Sequence, residues 1–426
     1  MFHFPHDFLL GAATAAHQVE GSNVHSDCWA LENMAHSSFA EPSLDAVDHY
    51  HRYREDIALM AKAGLNAYRF SIEWARIEPQ EGFFDETEIA HYRDVIRCCK
   101  EHGLEPIVTL HHFTSPRWLI TKGGWEADST PSDFARYTRY VMEQLGSELH
   151  YVCTINEANM GLQIAAIAER YKRQMMAKMT AGKTDGTVQV GMNLEKMLEN
   201  QKAAARETQD LFGTPVCHNF TSPRTPHGDE IVMRAHMEAR NAIRQAAPHV
   251  KVGLTLSLHD IQPLPGGESR AEKEWTEEFT HYLPAINGDD FFGVQNYTRS
   301  RIDESGIAPA PDGAELTQMD YEFYPEALAN VIRAVHRDFK GALFVTENGI
   351  ATADDSRRLE FIRRALEGVQ SCIADGIPVK GYCYWSLLDN FEWQKGYSMT
   401  FGLIGVDRKT QTRYPKESLT YLGSFR

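Results

Sequence analysis

Eight short apolar runs alternating with helical patterns, a composition that never shifts along the chain, and no glycine-rich phosphate turn point to one architecture. Together they predict an α/β chain folded as a single (β/α)8 TIM barrel, one domain over residues 1–426. The runs are, in order, FLLGAATA after Asp7, NAYRFSI around Tyr68, EPIVTLHH ending at His112 and HYVCTIN ending at Asn156. VKVGLTLS from Val250, DDFFGVQNY ending at Tyr297, ALFVTE ending at Glu347 and IPVKGYCYWS ending at Ser386 complete the set. They are rich in apolar and β-branched residues, as strands covered on both faces should be.

Helical periodicity falls between them, at Tyr50 to Ala63, Glu86 to His102, Ser132 to Leu145, Glu230 to Ala247, Tyr324 to Phe339 and Ser356 to Ala374. Ser356 is placed to cap the last of these, and Gly64, Gly103 and Gly376 sit where helices end. A doubly wound sheet competes with the barrel. It would need a GxGxxG or GxxxxGK[ST] turn, and the GKT at Gly182 to Thr184 lacks the upstream glycine. Between strands four and five lies an extended segment of roughly a hundred residues, too long for a plain crossover. It carries helical stretches around Gly161 to Met179 and Leu194 to Phe212, then the loop TPVCHNFTSPRTPHGDE, and should build extra structure over one rim.

Composition narrows the function. Hydrophobic residues make up 42% and the formal net charge is -16, enough for a large core and unfavourable to nucleic acid or an anionic membrane. The N-terminus lacks a basic n-region, and no stretch approaches 18 uninterrupted apolar residues. Seven cysteines without CxxC spacing read as reduced thiols in a cytoplasmic protein. The sequons at Asn219 and Asn296 then read as chance. No cofactor motif is present, and no residue set has metal-ligand spacing, the His111–His112 pair included.

The chemistry concentrates in carboxylates. LFVTENGI and VCTINEAN each run like a buried strand into a glutamate beside an asparagine. Catalytic groups of such barrels project from the C-terminal ends of the strands, so Glu157, after strand four, and Glu347, ending strand seven, should face one mouth. Two facing carboxylates suit glycoside hydrolysis: one protonates the leaving oxygen, and the other attacks the anomeric carbon or activates water. A lone glutamate at a strand tip is more often a solvated residue; the pairing is what argues for function. Arg69, ending strand two, is the cation available to hold a neighbouring carboxylate's pKa down.

These motifs resemble a known family. GAATAAHQVEG, YRFSIEWARIEP, TLHH, TINEAN, VTENGI and YWSLLDNFEWQKGYSMTFGLIGVD, in that order along the chain, look like glycoside hydrolase family 1, the retaining β-glucosidases. The resemblance implies that Glu347 is the nucleophile, Glu157 the acid/base, and Arg69 and Tyr297 the nucleophile's supports. It also implies a sugar site of Gln18, His112, Asn156, Gln295, Trp385, Glu392 and Trp393. Of the two histidines only His112 should reach it, because adjacent strand residues face opposite ways. The implied ligand is a β-glycoside or oligosaccharide.

The chain also departs from the family. Phe113 stands where a tryptophan is usual, which removes an N–H donor. Ala158 replaces the proline after NE, and Gln295 takes an asparagine position. The alternatives are a 6-phospho-β-glycosidase, a β-glycosidase of different sugar specificity, a thioglucosidase, or a catalytically silent sugar-binding barrel. Glu392 near O6 would repel a phosphate dianion; the intact Glu157 argues against the thioglucosidase, and the full carboxylate set against the silent barrel.

Overall fold

A computed structural model describes residues 2–178, 196 and 201–426. The eight predicted strands are all present. They are β1 (Leu9–Ala13), β2 (Ala67–Ser71), β3 (Glu105–His111) and β4 (Tyr151–Ile155), then β5 (Lys251–Gly253) with β6 (Thr255–Ser257), β8 (Phe291–Gln295), β11 (Ala342–Asn348) and β12 (Val379–Trp385). The fifth position is split: one residue, Leu254, separates β5 from β6. The parallel sheet runs β5-β4-β3-β2-β1-β12-β11-β8-β6, so its two ends are halves of one strand and the sheet closes on itself. β1 pairs with β12 in parallel, Leu9 opposite Gly381 and Ala13 opposite Trp385, so the first and last barrel strands are neighbours.

Strand burial explains the apolar runs. Every residue of β2, β6 and β8 is buried, because helices cover the outside and side chains fill the inside. The helices observed are His49–Lys62, Glu86–Glu101, Thr130–Leu145, Pro226–Ala246, Ala327–Asp338 and Asp355–Ala374. Gly64, Gly103 and Gly376 follow their helices at φ of 95°, 72° and 84°, a left-handed backbone that glycine adopts without steric cost. Two boundaries shift for reasons of capping. Asp354, not Ser356, caps the last helix by accepting from the Ser356 amide. Thr225 starts the 226 helix four residues early by accepting from the Gly228 amide, with Pro226 in its first turn. The 324 helix begins at Ala327.

The segment between strands four and five carries the helices Met160–Lys178 and Gln201–Phe212. Gly182 to Thr184, and residues 179, 194–195 and 197–200 of the expected helical stretches, lie outside the described residues. Phe212 packs with Ala30 and Ile120, and Phe220 lies 4.8 Å from His111 and 4.9 Å from Trp125, ring to ring. The segment therefore does cover a rim, around the end of β3. Two smaller sheets escaped the sequence reading: β7 (Asp260–Pro263) with β9 (Arg299–Asp303) and β10 (Gly306–Ile307), and the hairpin of β13 (Ile404–Val406) with β14 (Arg413–Pro415). Asn296 is buried, its amide donating to the Leu258 and Thr298 carbonyls, so that sequon is a packing residue. Among the described residues no helix is long and apolar enough to cross a membrane.

Candidate active site

β2, β4, β8 and β11 bring residues at or near their C-terminal ends to one point. Arg69, wholly buried, donates through one guanidinium nitrogen to the Glu347 carboxylate at 2.6 Å and through another to the Asn156 Oδ1 at 2.6 Å. The second oxygen of Glu347 accepts from the Tyr297 hydroxyl at 2.7 Å. Asn156 is held further: its Oδ1 accepts from Gln295 Nε2 at 2.8 Å and its Nδ2 donates to His112 Nε2 at 3.1 Å. Strand register alone converges these groups, because each follows from a strand ending at the same barrel layer.

Glu157 sits one residue beyond Asn156 at φ 44°, a left-handed conformation that costs a non-glycine residue roughly 1–3 kcal/mol. Phe113 (φ 70°) and Trp393 (φ 45°), both beside the site, share it. Hydrogen bonds hold the turn: the Glu157 amide donates to Thr255 Oγ1 and the Ala158 amide to the Thr255 carbonyl, both at 3.0 Å.

On the other side, Gln18 Nε2 donates to the Phe391 carbonyl at 2.8 Å and lies 3.3 Å from the Glu392 carboxylate. The His112 ring stands nearly parallel to Trp385 and Trp393, at 5.7 and 6.2 Å. Gln18 Oε1 and His112 Nδ1 are buried without a protein partner, which leaves hydrogen-bonding capacity for ligand hydroxyls. His111 turns away as expected, bonding to Ser115 Oγ at 3.0 Å among Trp125 and Phe220. Gln295 donates its amide nitrogen to Asn156 and Thr255, which braces Asn156, while its Oε1 is buried without a protein partner.

The electrostatics also require a correction. Arg69 does not bring the Glu347 carboxyl below its ordinary range. Burial is the larger influence and pushes it up, while Arg69 and Tyr297 pull the other way. Glu157 is pushed well above the ordinary range, by burial first and then by the facing Glu347 charge; Arg69 opposes this and Glu392 adds to it. The difference divides the pair into a carboxyl that keeps its proton more readily, Glu157, and one with two dedicated donors, Glu347. Such a pair can supply a proton and a nucleophile at once. Burial drives His112 well below its ordinary value, Arg69 adding to the effect, so the ring is neutral.

The sequence reading missed Thr255, which three of these bonds use, and Arg224 from the rim segment, whose guanidinium donates to the Ala158 carbonyl at 2.5 Å. The strand position of Thr255 was visible; nothing in the loop around Arg224 announced its contact. A cavity of about 900 Å³, bordered by Asn159, His259 and Glu278, lies beyond the Glu157 turn. No group of side chains among the described residues could hold a metal ion.

Known proteins resemble the chain throughout. Residues 2–182 and 290–426 match glycosyl hydrolase family 1. A β-glucosidase of an Agrobacterium species is 30% identical over 97% of this chain and 93% of its own. A 6-phospho-β-galactosidase of Lacticaseibacillus casei is 29% identical over 99% and 97%. Among solved structures, the β-glycosidase BGL167 is 46% identical with a TM-score of 0.86, covering 99% of this chain and 96% of that one. The β-glucosidase 1317 is 39% identical with a TM-score of 0.87, covering 98% and 97%.

Proposed function

The chain belongs to glycosyl hydrolase family 1, and on that premise we propose that it is a retaining β-glucosidase releasing terminal β-linked glucose from small glycosides. Glu347 attacks the anomeric carbon while Glu157 protonates the departing oxygen. Glu157 then deprotonates the water that hydrolyses the glycosyl-enzyme. The observation that carries this reading is the Arg69 guanidinium, which ties the Glu347 carboxylate to Asn156 and so aligns nucleophile and sugar 2-hydroxyl in one rigid unit. Gln18, His112, Trp385, Glu392 and Trp393 hold the sugar, and Tyr297 supports the nucleophile.

Glu392 supports the choice of glucose. A buried carboxylate accepts hydrogen bonds from neutral hydroxyls, each worth roughly 1.5–3 kcal/mol, and repels a uronate or a 6-phosphate. Some relatives are named 6-phospho-β-galactosidases, so the deciding experiment is a panel of nitrophenyl β-glucoside, β-galactoside, β-fucoside, β-glucuronide and 6-phospho-β-glucoside. The plain glucoside should lead, with galactoside and fucoside weaker. Glu392→Ala should lower kcat/KM for the glucoside about tenfold, and less for the fucoside, which has no 6-hydroxyl. A preference for the phosphorylated or uronic substrate would overturn the assignment. We place the enzyme in the cytoplasm, a reading supported by seven cysteines that stand unpaired.

A further inference from the structure

Arg224 is buried, yet it makes no ion pair among the described residues. Its fork donates to two backbone carbonyls, Ala158 at 2.5 Å and Phe220 at 3.0 Å, and its plane lies 4.6 Å from the centre of the Phe220 ring. A buried guanidinium needs compensation, and here backbone oxygens supply it. One of them belongs to the residue directly after Glu157. The same residue's amide donates to the Thr255 carbonyl, so Ala158 is gripped from both sides while Glu157 holds its left-handed backbone. Gly161 makes the arrangement possible: a Cβ there would lie 2.6 Å from the guanidinium carbon. Arg224 also lies outside the residues that match the family, which stop at 182 and resume at 290.

We propose that Arg224 is a positioning residue for the acid/base: by clamping the Ala158 carbonyl it fixes the turn that aims the Glu157 carboxyl at the leaving oxygen. The inference rests on the reading of Glu157 as the acid. Proton donation is sensitive to sub-ångström placement, whereas nucleophilic attack by Glu347, held by Arg69 and Tyr297, does not pass through this clamp. The rim segment between strands four and five thus serves the chemistry.

The test measures kcat/KM for aryl and alkyl β-glucosides of graded leaving-group acidity, in wild type, Arg224→Lys, Gly161→Ala and Glu157→Gln. Lysine cannot span both carbonyls, and the alanine methyl pushes the guanidinium aside without removing it. Both variants should hydrolyse the dinitrophenyl glucoside within about threefold of wild type and lose about 10- to 100-fold on alkyl and phenyl glucosides. If Arg224→Lys fails to fold by circular dichroism, Gly161→Ala carries the test alone. Equal loss across all leaving groups, or no loss, overturns the proposal. Uniform loss in Glu157→Gln would instead overturn the acid assignment itself.

Discussion

Both oxygens of the Glu347 carboxylate are engaged, one by Arg69 and one by Tyr297, which presents the remaining lone pairs in a fixed direction. Glu347→Gly should therefore abolish hydrolysis and open a hole on one face of the sugar. With added azide and an activated substrate the product should be the α-glycosyl azide, identified by NMR; recovery of the β-azide would mean another group is the nucleophile. Glu157→Gln should fail selectively, keeping dinitrophenyl glucosides and losing about two to four orders of magnitude on poor leaving groups. The pH profile of kcat/KM should be bell-shaped. Its acid limb is Glu347 becoming protonated and its alkaline limb is Glu157 losing its proton, and both limbs lie above the ordinary carboxyl range because burial raises both groups. In Glu157→Gln the alkaline limb should vanish. The two glutamates were legible in the sequence because each ends a buried strand beside an asparagine. The net direction at Glu347 was not, since the depth of burial competing with Arg69 is a property of the closed pocket.

Elements with a clear period were read correctly; those fixed by distant partners were not. β2 and β11 declare themselves by uninterrupted apolar runs, and the helix Glu86–Glu101 by its apolar stripe under the Asp85 cap. The break at Leu254 has no local signal, because the neighbouring strand changes from β4 to β8 there. The short helix Asp27–Glu32 is another such case. Its first residue is wholly buried, and one Asp27 oxygen accepts from the Ser115 and Cys28 amides, tying this helix to the loop after β3. The other oxygen has no partner. Burial pushes this carboxyl up to about 7, against about 3.9 in the unfolded chain. The fold therefore binds an extra proton between those values, and the native state loses stability as pH rises from about 4 to about 7. Asp27→Asn, which can still accept from both amides, escapes this loss. Its melting temperature relative to wild type should climb across that window and level off above it. A constant difference from pH 4 to pH 8 would show that Asp27 does not titrate this way.

At the scale of the whole molecule, closure makes the two ends of the chain interdependent. β1 pairs with β12, the Phe4 amide donates to the Phe425 carbonyl at 2.9 Å, and the Phe4 and Phe8 rings stack at 4.1 Å. The C-terminal hairpin is anchored by Arg413, which grips Asp56 of the helix His49–Lys62 with two bonds of 2.8 Å, while His49 holds the same carboxylate at 2.7 Å. All three side chains are buried. Burial alone would raise the Asp56 carboxyl; the bonds from Arg413 and His49 prevail and lower it. The stability it contributes is thus present above the unfolded value near 3.9 and lost as pH falls through the lowered folded value. Arg413→Met should leave that carboxylate without its arginine, held by His49, and cost about 3–5 kcal/mol at pH 7, read as a lower urea midpoint at unchanged slope, with a smaller deficit in strong acid. The single-domain reading makes a sharper demand on the same variant. Because the hairpin is tied through Asp56 to a barrel helix, and the first strand and the catalytic mouth share one closed sheet, tryptophan fluorescence and activity should be lost together in one transition, in variant and wild type alike. A hairpin that melted first, leaving activity behind, would divide the chain into two units and end that reading.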